Sequence, residues 1–162
     1  MAEVLELSSM LGLRSTPKLK FRFIINIDNI DVFMLKSAAR PQATITEVMV
    51  PFMNVTRKYA GKVEWPVLPI TIIDYIAPSS AQKVWEKLRL VFDPVTGTSS
   101  YAEMYYEDIA LKGVGPAGDI VEKWVLNDVF FSEINFGDLA YDSEEPMDIT
   151  CNLSYFRAIL EY

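Results

Sequence analysis

The stretch KLKFRFIINID, Lys18 to Asp28, decides the class of fold. Phe21, Phe23, Ile25 and Ile27 recur at every second position, with Lys20, Arg22, Asn26 and Asp28 between them. Side chains of an extended strand alternate between its two faces, so the pattern predicts a strand buried on one side. The run Asp28 to Asp31 has turn chemistry, and Val32 to Lys36 then reads as the returning arm of a hairpin.

Strand character returns along the chain. Thr44 to Val50 is β-branched, and Lys62 to Asp74 carries Val63, Trp65, Val67, Ile70 and Ile72. Pro66 and Pro69 cannot donate to a ladder, which puts that strand at an edge or at a bulge. Tyr101 to Lys112 alternates, Ile120 to Asn127 forms a further strand, and Val129 to Phe136 is an apolar and aromatic segment closed by Gly137 and Asp138. The glycine-rich run Gly113 to Gly118 has spacing that elsewhere cradles phosphate. No helix with a Lys or Ser/Thr follows it, and Asp119 and Glu122 stand beside it, so it reads as a hairpin bend. Past the acidic bend Asp142 to Pro146, a long strand runs from Met147 to Tyr162, its parity slipping near Phe156 and Arg157 as at a bulge.

One principal helix follows Pro78. Ser79 or Ser80 supplies the N-cap, and Ala81, Val84, Trp85, Leu88 and Phe92 form its apolar stripe, which assigns Trp85 to the core. Lys83, Glu86, Lys87 and Arg89 cover the other side, and Asp93 and Pro94 end the helix. Val4, Leu5, Leu7 and Leu11 predict a short amphipathic helix over Glu3 to Leu11, too short to be stable undocked. Together these elements predict a mainly β (α+β) fold in one domain, 1–162. It is an antiparallel β-sandwich or barrel of two packed sheets with one flanking α-helix, an extended β-hairpin and a short N-terminal helix.

Composition excludes much chemistry. The 162 residues include no histidine, which removes the commonest general base, the commonest metal ligand and every triad built on imidazole. Cys151 is the only cysteine, so neither an internal disulfide nor a thiolate metal cluster can form, and its place in an alternating run reads as a small core hydrophobe. No cofactor, metal or catalytic residue is expected. No stretch approaches the roughly twenty apolar residues of a transmembrane helix. Glu3 and Glu6 stand where a secretory signal would be basic, so the expectation is a cytoplasmically made protein without membrane insertion. Apolar residues nevertheless make up 51% of the chain, which points to self-association.

Charge is uneven. Residues 1–100 hold 12 Lys and Arg against 9 Asp and Glu, whereas residues 101–162 hold 3 against 13. Halves of opposite sign suit complementary faces between subunits, or an acidic surface that repels a polyanion. Specific binding to nucleic acid does not fit this balance. Between the two strand regions, Pro51 to Gly61 forms a hairpin tip that carries Phe52, Met53, Val55 and Tyr59 beside Asn54, Arg57 and Lys58. A free tip does not normally expose such groups. Either it folds back on its own sheet or it inserts into another subunit.

In this order, the features resemble those of the tail tube proteins of contractile-tailed bacteriophages, a family also similar to the tube component of type VI secretion systems. The likeness spans nearly the whole chain. It is carried by the aromatic strand Leu19 to Ile27, the Pro51-Phe52-Met53-Asn54 tip followed by Ala60-Gly61, and the tryptophan strand at Trp65. The helix Ser80 to Phe92 and the turn Phe136 to Leu139 complete it. The resemblance implies a structural subunit whose hexameric rings stack into a tube inside a contractile sheath, as a conduit for genome ejection. The implied partners are further copies, the sheath protein, a baseplate tube initiator and a tape measure protein, with DNA passing through without specific binding. The implied location is the phage tail of a virion. By the same resemblance the tip residues Phe52 to Val55 and Arg57 to Tyr59 contact an adjacent ring, and Glu107, Asp119, Glu122 and Asp128 are candidates for an acidic lumen. A tube initiator or terminator, or a secretion-type tube protein, would share these features. A monomeric ligand-binding barrel with Trp65, Trp85 and Trp124 around a cavity is the distant alternative.

Overall fold

The structure is a computed structural model that describes residues 15–162. The helix expected over Glu3 to Leu11 lies outside the described residues. Eleven strands and two α-helices follow in order, along with a 3-10 turn: β1 (Phe23–Asn26), the turn Val32–Met34, β2 (Leu35–Ala38), β3 (Thr44–Phe52), β4 (Val55–Glu64), β5 (Leu68–Ile73), α1 (Ser80–Val91), β6 (Phe92–Asp93), β7 (Thr98–Ser99), α2 (Ala102–Tyr105), β8 (Glu107–Val114), β9 (Ile120–Asn135), β10 (Asp148–Ser154) and β11 (Arg157–Leu160). The principal sheet has seven antiparallel strands in the order β1-β8-β9-β10-β5-β2, with β11 also on β9. Its two arms share β9, whose first half pairs with β8 and β11 and whose second half pairs with β10.

Ile25 of β1, Ile70 and Ile72 of β5, Ile109 of β8, Leu126 of β9 and Ile149 of β10 belong to one buried cluster, so the arms face each other across a shared core. Each such side chain removed from water contributes about 1.5–3 kcal/mol. Cys151 is fully buried there, and burial pushes its thiol up to about 12, as a core hydrophobe rather than a nucleophile.

Strand β9 illustrates how one residue sets which side chains enter the core. Glu122 and Leu126 are buried at even positions, Val129 and Phe131 at odd ones. Asp128 lies between them with φ 52°, and the register with β8 slips there. This bulge turns one long alternating run into two of opposite parity, so both halves of the strand face the core. The segments expected separately over Ile120 to Asn127 and Val129 to Phe136 are therefore one strand.

Several local expectations are corrected. Val32 to Lys36 does not return along β1. Asn29 turns the chain at φ 63°, Met34 N–H donates to the Asp31 carbonyl at 3.0 Å, and this tight turn sends β2 to pair with β5. Lys62 to Asp74 divides at Trp65 to Val67 into β4 and β5, which lie in different sheets. Pro66 lies in the break, whereas Pro69 sits within β5 opposite Asn152, its carbonyl accepting from Ala39 N–H at 3.1 Å. The closing strand breaks at Tyr155 and Phe156 into β10 and β11, both alongside β9.

The helix forms as its caps dictate. Ser79 Oγ accepts from Gln82 N–H at 3.3 Å, and Ala81 N–H donates to Asp74 Oδ1 at 3.1 Å, which ties the first turn to the end of β5. Val84 is fully buried, but Trp85 and Phe92 lie at the margin of the helix and remain more than 40% exposed. The inward place goes instead to Lys87, whose Nζ donates to Glu107 at 2.7 Å.

Candidate functional site

Strands β3 and β4 form a two-stranded ribbon outside the principal sheet. Every residue of β3 is exposed, and in β4 only Gly61 is partly covered. The tip does not fold back on its own sheet. Directly opposed residues of an antiparallel pair share a face. One face thus carries Phe52 with Val55, Val50 with Arg57, and Val48 with Tyr59; the other carries Pro51 with Thr56, Met49 with Lys58, and Glu47 with Ala60. The first face is apolar apart from Arg57, whereas the second is mixed: Pro51, Met49 and Ala60 stand beside Thr56, and Glu47 with Lys58, at 2.8 Å, supplies the ribbon's one ion pair among the described residues. The outer edges of β3 and β4 carry no partner strand among the described residues, so their alternate N–H and C=O groups are open to pairing.

Gly61 is required by the closeness of the two strands. A Cβ there would meet the Thr46 carbonyl at 2.8 Å, and a bulge offsets the register nearby. At the tip, Met53 and Asn54 make a two-residue connection in which Met53 adopts φ 51° with 91% exposure. For a side chain of that size the left-handed region costs about 1–2 kcal/mol. The structure thus brings Phe52, Met53, Asn54, Val55, Arg57, Lys58 and Tyr59 together at one end of an unsupported ribbon. The sequence reading missed the lower half, where Ile45, Val48, Met49, Val50 and Val63 are equally bare. The signal was present: apolar residues occupy both parities of the strand, a pattern suited to cover on both sides.

The four acidic candidates do not come together. Glu107 is occupied by Lys87; burial pushes its carboxyl up, against the pull of that lysine. Glu122 is 5% exposed and forms the centre of a charge cluster. Lys18 Nζ donates to its Oε2 at 2.5 Å, Trp124 Nε1 to its Oε1 at 2.6 Å, and Arg40 also to Oε1. Burial alone would raise this carboxyl, but the hydrogen bonds from Arg40, Lys18 and Trp124 outweigh it and hold it at about 2. Neither glutamate offers a free carboxylate to solvent. Glu122 shares its face with Trp124 and Leu126, and that parity turns it inward. Asp119, in the bend between β8 and β9, and Asp128, at the bulge, remain exposed.

The cluster around Glu122 forms one wall of a cleft of about 410 Å³. Of the three tryptophans, only Trp124 lines it. Trp65 stacks near Tyr155 at 6.0 Å and Trp85 near Phe136 at 6.4 Å. The tryptophans therefore do not surround a common ligand cavity.

A two-armed antiparallel sheet with a flanking helix and a projecting ribbon is the fold of tube subunits from contractile injection systems. The anti-feeding prophage tube-terminating cap superposes with a TM-score of 0.73 at 13% identity, over 91% of this chain and 92% of that one. A subunit of the PVC extracellular contractile injection system sheath-tube complex does so at 0.66 and 13%, over 97% and 99%. Hcp1 from Flavobacterium johnsoniae follows at 0.53 and 9%, over 87% and 95%. In sequence the chain is similar to the tail tube protein of Serratia phage KSP90, 23% identical over 124 residues, which are 74% of this chain and 68% of that protein. No family model matches.

Proposed function

We propose that this chain is a structural, non-catalytic subunit of the inner tube of a contractile phage-type tail, acting as one domain over 1–162. Copies form rings, six to a ring, and the rings stack inside a sheath into a conduit for the genome. The observation that carries this reading is the β3–β4 ribbon, exposed on both faces, apolar on the face of Phe52, Val50 and Val48, and unpaired at both edges among the described residues. A chain alone in water gains nothing from such a ribbon, whereas an assembly buries both faces and completes both ladders. Strain at Met53 has the same sense, because an exposed outlier at a tip is better kept for a contact than for the turn.

In this reading the tip from Phe52 to Tyr59 inserts into the adjacent ring. Asp119 and Asp128 are the remaining candidates for a bore that repels DNA, since passage without binding requires that phosphates meet no cluster of cations. The sheath covers the outside, a baseplate initiator and a tape measure protein meet the tube's end and lumen, and assembly takes place in the host cytoplasm before incorporation into the virion.

Electron microscopy of the purified full chain tests the reading. Open-ended tubes of uniform bore are expected. Isolated rings that never extend would favour a tube terminator, a reading prompted by the cap structure that shares the fold. A protein that stays monomeric at high concentration would overturn both.

A further inference from the structure

Strand β9 begins in a basic cleft and ends in an acidic bend. Lys18, Lys20, Arg22, Arg40 and Lys112 line the cleft against a single carboxylate, Glu122. Lys18 and Arg40 are spent on Glu122, whereas Lys20, Arg22 and Lys112 form no ion pair among the described residues. The cleft floor is apolar, with Leu19, Phe23 and Trp124. At the other end, the bend between β9 and β10 carries Asp138, Asp142, Glu144 and Glu145 with no Lys or Arg from 137 to 146. None of these acids forms an ion pair among the described residues, and the bend also projects Leu139 and Tyr141, 84% and 113% exposed. Two large apolar groups held in water among four carboxylates fit a surface that is covered in use.

The match is in kind on both counts: acids for the unpaired cations, and a leucine and a tyrosine for the apolar floor. Within one chain the two do not serve each other: no residue of the bend lines the cleft, and none of its acids pairs with a cleft cation among the described residues. We propose that the acidic bend of one copy docks in the basic cleft of the next, with Tyr141 and Leu139 on the cleft floor. Because the two patches differ, the contact is head to tail, the kind that closes a ring or propagates a stack. It rests on the tube reading, and it explains why charges of opposite sign are segregated between the two parts of the sequence.

The test is charge reversal in the full chain, followed by electron microscopy and light scattering, with circular dichroism as the check on folding. Lys20→Glu with Lys112→Glu should abolish or slow assembly at least tenfold, as should Asp142→Lys with Glu144→Lys. All four changes in one chain should restore assembly to within about threefold of the original, and added salt should weaken assembly of the unmodified protein through screening. Folded variants that assemble normally one pair at a time would overturn the contact while leaving the tube reading intact. So would a cleft reversal that blocks assembly without rescue by the bend reversal, the outcome if the cleft holds a different acidic segment or a polyanion. Failure of the unmodified protein to associate at all would overturn both.

Discussion

Two hairpins of this chain, β3–β4 and β8–β9, meet opposite fates. Between β8 and β9, buried Ile109 and Leu111 alternate with half-covered neighbours, and the hairpin closes over its own core. Between β3 and β4 no residue is buried, although close to half of the ribbon's residues are apolar too. The difference is one of pattern rather than hydrophobicity. Alternation specifies a single dry face that one chain can supply, whereas apolar residues at both parities suit cover on two sides, and here the described chain covers neither. The contrast separates residues that hold the fold from residues that, on the proposed tube reading, await a neighbour.

The strongest way to break the contrast is to truncate each hairpin and compare two readouts. Leu126→Ala in β9 should cost about 2–5 kcal/mol in urea unfolding, because it opens a cavity at a site that is 1% exposed. Phe52→Ser with Met53→Ser should change the same unfolding free energy by less than about 0.5 kcal/mol, as exposed substitutions do, and yet abolish tubes in electron micrographs. If the ribbon variant unfolds as readily as the core variant, the ribbon belongs to the fold. If it still forms tubes, the tip is not a contact between rings.

Much of this division was legible in the residues. The helix after Pro78 was marked by its Ser79 cap and the Val84 stripe, and the strand periods of β1, β8 and β10 stood out. Partners were not legible, because β2 lies beside β5 through a turn at Asn29 and a short 3-10 segment that read as the start of a hairpin's returning arm. At the tip, the sequence left open whether the apolar groups fold back, and the structure leaves them exposed. Glu107 and Glu122 were misplaced because acids on strands read as solvated surface. Only the fold shows Lys87 turned toward Glu107, or Arg40 and Lys18 brought from distant segments to Glu122.

The next effect is smaller and belongs to the body. Glu122→Gln should destabilise the folded chain by about 1–3 kcal/mol at neutral pH, since it leaves two cations beside a neutral group. The folded carboxyl, at about 2, lies below its ordinary value of 4.5. Its contribution is therefore fully present above pH 4.5 and is lost as the pH falls toward 2. Urea unfolding of both proteins at pH 6 and at pH 2.5 should show a difference that shrinks on acidification. A difference independent of pH would mean that the ion cluster contributes nothing to folding.

The smallest expected effect is also the sharpest separator of the two hairpins. Met53 occupies a left-handed conformation that glycine adopts without penalty, so Met53→Gly should leave the isolated chain slightly more stable, by up to about 1 kcal/mol. A residue kept for the turn alone would make glycine an improvement in every assay. A residue kept for the neighbouring subunit would make it a gain in thermal unfolding of the monomer and a loss in assembly, because the side chain removed is the most exposed apolar group of the ribbon. Opposite signs in the two measurements would assign the strain at Met53 to the contact between copies. Equal signs would return it to the turn and leave Phe52 and the ribbon faces to carry the association alone.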